Sequence, residues 1–345
     1  MSKKFKKGGL IAGGAILLLL SALIVLFLAQ NTYRMEEREV VIETPEGVLT
    51  GTLALPQASD RPVGLIVFVH GDGPTNSTYD DAYKPLWEAF ALEGYASLSL
   101  DKRGVGGSEG NWLEQDMEDR ARDTKLAIEW ARSQPEIDSS RIGLWGASQA
   151  GWVIPKIVRD ERDLAFSILV APAVNWIEQG LYNTRREMEQ NGASTEEMAA
   201  AEQKDLKVLD LLRRGSSYKD YLREASPAEG KVMSEDRWTF VSKNFKSDSR
   251  EELHAFNHPV HLVLAGRDLN VDSDDTEAVY RAKIPARLLS VTRLPDADHS
   301  MLKQSAARSE MRTVITAVFL PRQLFDEGYL SDMRQFLRTM EARKR

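Results

Sequence analysis

The amino-acid sequence predicts an α/β protein whose central sheet is mostly parallel, with helices on both faces. Three observations lead there. Short apolar runs recur at 65–69, 95–100, 142–145, 165–170, 260–265 and 288–294. Helix-period segments separate several of them. Glycine-rich loops follow the first three directly. Continuous apolar runs of this length suit strands buried on both faces, and strand–helix alternation lays such strands in parallel.

The elements follow in order. Residues 38–43 alternate around Val40 and Ile42, residues 48–55 form a second candidate strand, and Pro45-Glu46-Gly47 between them signals a hairpin turn. Helices are expected over 83–93, over 114–133 ahead of Pro135, over 149–158, and from Tyr329 to the end. The rhythm breaks over 173–256, a charged, helix-prone stretch. Ser194 and Glu197 there have capping-box spacing, and Gly215 can stop the helix that follows. So long an insertion is not a plain loop. It reads as a helical lid, with a surface bundle of no catalytic role as the alternative. The body is then one α/β domain over 37–345.

At the N-terminus, Lys3, Lys4, Lys6 and Lys7 form a basic flank over 1–7 and precede an uncharged run over 8–29. As a helix those residues would extend about 33 Å, enough to cross a bilayer core. The flank should stay in the cytoplasm, so the expectation is a single-pass signal anchor with the body outside the cytoplasm. A cleaved signal peptide and a secreted body are the rival. Residues 30–36 read as a short polar stalk. The net charge is −7, and no long basic run lies beyond the first seven residues, so nucleic acid is not an expected partner. The absence of cysteine excludes a thiol nucleophile, disulfides and cysteine-based zinc sites.

The chemistry-bearing signal is Gly146-Ala147-Ser148-Gln149-Ala150-Gly151, between an apolar strand and a helix pattern. A serine on such a turn projects its hydroxyl above the sheet, and small neighbours let the turn pack. Ala150 stands where G-x-S-x-G has its second glycine. A serine nucleophile needs a base near neutral pKa. Of five histidines, His299 lies in the loop after the last strand, in Asp296-Ala297-Asp298-His299-Ser300. Asp268, closing the 260–265 strand, is the candidate acid that orients the imidazole. Asp272, Asp274 and Asp275 are its rivals, read as loop or cap residues. Asp296 and Asp298 read as turn formers. His254, His258 and His261 lack a convincing carboxylate set for a metal, and no cofactor is expected. The Gly104-x-Gly106 stretch lacks the rest of a dinucleotide fingerprint and reads as a structural turn. Trp145, Trp152 and Trp176 suggest an apolar acyl pocket or plain core.

The order Ser148, Asp268, His299 is that of α/β hydrolases. From about residue 40 onward the chain resembles that superfamily. It is most similar to bacterial esterases related to dienelactone hydrolases, to the prolyl-oligopeptidase catalytic domain, and to the acyl-CoA thioesterase/acyltransferase branch. The residues that carry this are His70-Gly71-Asp72-Gly73-Pro74, the run from Asp101 to Gly110, and Trp145 to Trp152. The resemblance implies an α/β-hydrolase fold and an oxyanion hole built from the backbone N–H groups of Gln149 and Asp72, with Gly73 in place of Asp72 as the alternative. The expected activity is cleavage of small to medium carboxylic esters through an acyl-enzyme. Peptidase, thioesterase or acyltransferase action by the same triad is the alternative, and a non-catalytic envelope protein is the alternative of another class.

Overall fold

The computed structural model describes residues 2–57, 59–225 and 232–343. Eight strands make one sheet, in the order β1-β2-β4-β3-β5-β6-β7-β8. They are β1 (Met35–Ile42), β2 (Leu49–Pro56), β3 (Val63–Val69), β4 (Tyr95–Leu100), β5 (Ile137–Ala147), β6 (Phe166–Val170), β7 (Val260–Ala265) and β8 (Leu289–Leu294). The β1/β2 hairpin joins antiparallel to β4, and every other pairing is parallel. This is the α/β-hydrolase fold. Every residue of β3, β6 and β7 is buried, as strands covered on both faces require.

The helices up to the lid are α1 (Ser2–Asn31), α2 (Lys84–Ala91), α3 (Met117–Arg132) and α4 (Ile154–Asp160). The lid contributes α5 (Trp176–Gln190), α6 (Thr195–Arg213), α7 (Tyr218–Glu224) and α8 (Glu235–Asn244). After it come α9 (Ser273–Lys283), α10 (Gln304–Ala307), α11 (Glu310–Phe319) and α12 (Glu327–Ala342). Two cores flank the sheet. On one face α2 and α12 bury Leu86, Trp87, Phe90, Met333 and Leu337 against Phe68 and Ile168. On the other, α3, α4 and α9 bury Ala121, Ile128, Ile157 and Tyr280 against Leu65 and Leu144.

Several boundaries differ from expectation, each for a local reason. The expected helix over 149–158 is two pieces, a 3-10 turn at Ser148–Trp152 and then α4. Pro155 has no N–H to donate and fits only in a first turn, so a helix restarts around it. Helix α3 begins at Met117, after a reciprocal capping box between Asp116 and Asp119. Strand β5 is longer than its apolar run because its first half is polar and partly exposed. In the lid, Ser194 and Glu197 do form a capping box, and Gly215 follows α6 at φ +67°. The lid residues 226–231 lie outside the described residues.

The segment read as a free stalk is packed. α1 runs to Asn31, Tyr33 and Met35 are buried, and Arg322 donates to the carbonyl of Thr32 at 2.8 Å while stacking on Tyr33. The same guanidinium pairs with Glu88 of α2 at 2.7 Å. Among the described residues no helix is long and apolar enough to cross a membrane. The expected span over 8–29 lies partly outside them, because side chains of α1 are described only from Ile16 onward, with Leu19 excepted.

Asp332 ties α12 to the sheet. It accepts from Thr292 of β8 at 2.8 Å and pairs with His261 of β7 at 2.7 Å. Asp332→Ala removes both acceptors, from buried His261 and half-buried Thr292, so the unfolding free energy should drop by about 1–3 kcal/mol, read from urea midpoints at constant m-value.

Candidate active site

Strand β5 ends at Ala147, and the chain reverses through Ser148 at φ +54°. A non-glycine residue in the left-handed region is strained, and the surroundings must hold it there. They do so by close packing. A Cβ on Gly146 would lie 2.6 Å from the Cβ of Ala150 and 2.7 Å from Ile154. One on Gly151 would lie 2.2 Å from the carbonyl oxygen of Ala173. The amide of Ala173 in turn donates to the carbonyl of Ser148 at 2.9 Å. Alanine at 150 in place of glycine is therefore accommodated because Gly146, opposite, has no side chain.

The loop after β3 lies against this turn: a Cβ on Gly71 would meet the Cβ of Ser148 at 3.4 Å. Asp72 and Gly73 follow in the same loop. The amide of Gln149 sits in the first turn of the 3-10 segment, where N–H groups have no partner within the helix. The residues expected to form an oxyanion hole thus sit on two loops that meet at Ser148.

Asp268 follows β7 and His299 follows β8, and the structure joins them. The imidazole Nδ1 lies 2.8 Å from Asp268 Oδ2, and the carboxylate is almost wholly buried. Its other oxygen accepts from the amides of Asn270 at 2.7 Å and Val271 at 2.9 Å. Asp272 caps α9, accepting from Asp274 and Asp275. Asp298 accepts from the amides of Ser300 and Leu302, shaping the His299 turn, and burial raises its carboxyl pKa against those bonds. Among the described residues, no side chain hydrogen-bonds the Ser148 hydroxyl. A hydrogen bond between Ser148 and His299 is thus not among those the structure shows. Being on β5, β7 and β8 of one parallel run, the three residues share the carboxyl edge of the sheet, where ligands bind in this architecture.

Sequence reasoning missed the charged network behind the β3 loop. Lys102, buried, donates to the carbonyls of Gly71 at 2.5 Å and Gly73 at 2.8 Å. Arg120, also buried, bonds the carbonyl of His70 at 2.5 Å and the side-chain oxygen of Gln149. The side-chain Nε2 of Gln149 donates to Asp72 at 3.2 Å, and Arg237 of α8 clamps Asp72 with bonds of 2.9 and 2.6 Å. Burial and the charge of Arg120 push the Lys102 pKa well down. Burial lowers Arg120 to about 10. Burial would raise Asp72, but Arg237 and Lys102 outweigh it and hold the carboxyl low. A second missed contact is on the acid side. Tyr182 of α5 donates to the carbonyl of Asp268 at 3.1 Å, and Asn183 to that of Leu269 at 3.1 Å. The insertion therefore grips both the loop after β3, through Asp72, and the loop after β7, through Asp268 and Leu269.

His70 and His258 are held in structural contacts. His70 is buried, with Nε2 2.7 Å from the carbonyl of Leu100 and Nδ1 3.2 Å from the Tyr83 hydroxyl. Burial and the charge of Lys102 lower its pKa to about 3. His258 pairs with Ser167 at 2.8 Å, and burial lowers it to about 4. His254 lies in a 3-10 segment at Glu252–Ala255. Among the described residues no group of three or more His, Asp or Glu side chains could hold a metal. Trp145 is core, its Nε1 donating to Tyr329 at 3.2 Å. Trp152 and Trp176 stack at 4.8 Å, joining the body to the insertion, and Trp176 packs on Phe240 of α8. The loop after β4 is the structural turn expected: a Cβ on Gly106 would strike the Asp101 carboxylate at 2.7 Å, and Asp101 bonds Thr50 and Ser77.

A family model for X-Pro dipeptidyl-peptidases (S15 family) matches residues 47–344, nearly the whole body. The chain belongs to that family. It is accordingly a serine hydrolase of the esterase–peptidase kind. Among solved structures, an esterase of Pyrococcus furiosus is similar at TM-score 0.57 and 16% identity, over 88% of this chain and 91% of that one. An acylaminoacyl peptidase of Pyrococcus horikoshii is similar at TM-score 0.54 and 14% identity, over 91% of this chain and 43% of that one. These share the fold. Among curated relatives, the quorum-quenching protein AidA of Acinetobacter baumannii is 36% identical over 109 residues, 31% of this chain and 35% of that protein. A probable dipeptidyl-aminopeptidase B of Ajellomyces capsulatus is 24% identical over 127 residues, 32% of this chain and 13% of the relative. The first of these matches spans about a third of its relative and the second far less.

Two outcomes test this geometry. Gly146→Ala should destabilise the fold by about 1–3 kcal/mol through overpacking, and adding Ala150→Gly should restore part of that loss. Equal stability of the single and double variants would refute the steric account. The second concerns pH. His70 and His258 bind protons less readily folded than unfolded, so the unfolded state gains protons as pH falls below about 6.5 and stability declines with it. Each contributes up to about 1.4 kcal/mol per pH unit until its folded pKa is reached. Urea unfolding between pH 7 and 5 should show the slope, and His258→Gln should reduce it.

Proposed function

We propose that this S15-family chain cleaves carboxylic esters with small to medium acyl groups. Ser148 is the nucleophile, His299 the base and Asp268 the orienting acid. The observation that carries this reading is the 2.8 Å pair between a buried Asp268 and His299 Nδ1, on the same sheet edge as a serine at φ +54°. Asp268 holds the imidazole with Nε2 directed outward and stabilises its charged form. Ser148 adds to the acyl carbonyl as His299 takes its proton. The oxyanion is received by the amides of Gln149 and Asp72, and the alcohol leaves with the proton returned by His299. Water then repeats the sequence on the acyl-enzyme. The substrate class is a small-molecule ester or related acyl compound.

Dipeptidyl-peptidase action is the second reading, and the family match favours it. A dipeptidyl-peptidase must receive a free α-ammonium group close to the scissile bond. Among the described residues, Lys102, Arg120 and Arg237 are the cations bonded to the 70–73 loop and Gln149, and Asp72 is already clamped by Arg237 and Gln149. That balance supports an uncharged or anionic substrate over a cationic one.

For location, we propose that α1 is a single-pass anchor with the body outside the cytoplasm. The support is the lysine-rich flank and the uncharged run over 8–29. Cleavage of the segment and a secreted body are the alternative.

Ser148→Ala should abolish p-nitrophenyl acetate turnover and fluorophosphonate labelling. Asp268→Asn should keep the fold and lower kcat by as much as about 10⁴-fold. A panel of p-nitrophenyl esters against Gly-Pro-p-nitroanilide discriminates the two readings: faster release from the anilide would replace the ester assignment, and labelling that survives in Ser148→Ala would remove the nucleophile.

A further inference from the structure

Helix α11 carries Met311, Val314, Ile315 and Val318 at i, i+3, i+4 and i+7, positions that share one helical face. All four are exposed, from 39% at Val318 to 74% at Met311, and no residue of the helix is buried. A contiguous apolar stripe turned to water marks a contact surface.

The neighbours indicate what covers it. α11 packs against the end of α1. Phe27 meets Phe319 edge-on with ring centres 6.3 Å apart, and Asn31 donates to the carbonyl of Val318 at 2.9 Å. Above that contact, Leu17, Ile24, Val25 and Leu28 of α1 are exposed too, so the stripe continues an apolar helical wall. The two helices touch where the uncharged run over 8–29 ends, which is the level of a bilayer surface if α1 is inserted. Arg308 and Arg312, both exposed, flank the stripe, and neither has a carboxylate partner among the described residues. Glu310 is the one acid of the helix.

We infer that α11 lies in the plane of an anionic phospholipid bilayer. Its stripe sits among the upper acyl chains and its arginines among the headgroups, as interfacial amphipathic helices do. This rests on the reading of α1 as an anchor, and it has a consequence for substrate. Gln304 and Ala307 of α10, with Arg308, line a cleft of about 880 Å³ on the His299 side of the site; Ser148 is not part of its lining. Docking of α11 sets one wall of that cleft at the lipid surface. Acyl esters of amphiphiles, supplied from the membrane, are then favoured over esters dissolved in water.

The chain has no cysteine, so single cysteines in the full chain take an NBD fluorophore without background. Three sites suffice in phosphatidylcholine/phosphatidylglycerol vesicles containing a doxyl-lipid quencher: Leu23→Cys on α1, Val314→Cys on α11, and Glu129→Cys, exposed on α3 across the sheet. The expected result is a blue-shifted, quenched signal at 23 and 314 and none at 129. Quenching at 23 with none at 314 overturns the docking surface and leaves the anchor standing. Quenching at 314 alone keeps the surface and removes the anchor. A blue shift at 314 without lipid quenching assigns the stripe to a protein partner and overturns the inference, as does silence at both sites. In parallel, Met311→Ser/Ile315→Ser should lower hydrolysis of a vesicle-borne ester on the order of tenfold, with p-nitrophenyl acetate turnover unchanged. Equal loss on both substrates would refute the role in supply.

Discussion

The site depends on a steric constraint in the backbone: the reversal at Ser148 after β5. A left-handed serine is unfavourable alone and persists because Gly146, Ala150, Gly151 and Ala173 leave the chain no other path. The strain is matched by packing that is complete to within an atom. From this follow the projection of the hydroxyl from the sheet edge, the placement of the Gln149 amide beside it, and the approach of the β3 loop to van der Waals distance at Gly71.

Electrostatics fixes the second loop. Two cations, Lys102 and Arg120, are buried behind residues 70–73 and spend their donors on backbone carbonyls and the Gln149 side chain. Burying charge is costly unless it is hydrogen-bonded, and these bonds meet that requirement while orienting the peptide units of the loop. Carbonyls held by cations on one side turn their adjoining amides the other way. Asp72, clamped by Arg237, gives the cluster its counter-charge.

Much of this was legible in the residues. Buried parallel strands announce themselves as apolar runs, and the order Ser148, Asp268, His299 follows from loops at one sheet edge. What stayed hidden had no periodic or spacing signature. Lys102 and Arg120 look like ordinary surface cations, since nothing local marks a charge as buried. Arg237 reaches Asp72 across 165 positions. α9 went unread because its starting cap lies among residues weighed as acids, and α11 because its apolar face turns outward. Pro155 could have warned that the helix after the elbow restarts, had its position been weighed against the missing N–H. The stalk looked polar in composition, but Thr32 and Tyr33 are anchored by an arginine about 290 residues away.

The two handholds of the insertion have a practical meaning for protein engineering. Trimming the helices between β6 and β7 to open the cleft to bulkier compounds would take away the Tyr182 phenol and Asn183 amide that brace the loop bearing the acid, along with the guanidinium that neutralises Asp72. In this molecule the insertion is part of what holds the Asp268 and Asp72 loops in place, and remodelling of specificity is better attempted at side chains facing the opening than by deletion of the whole element.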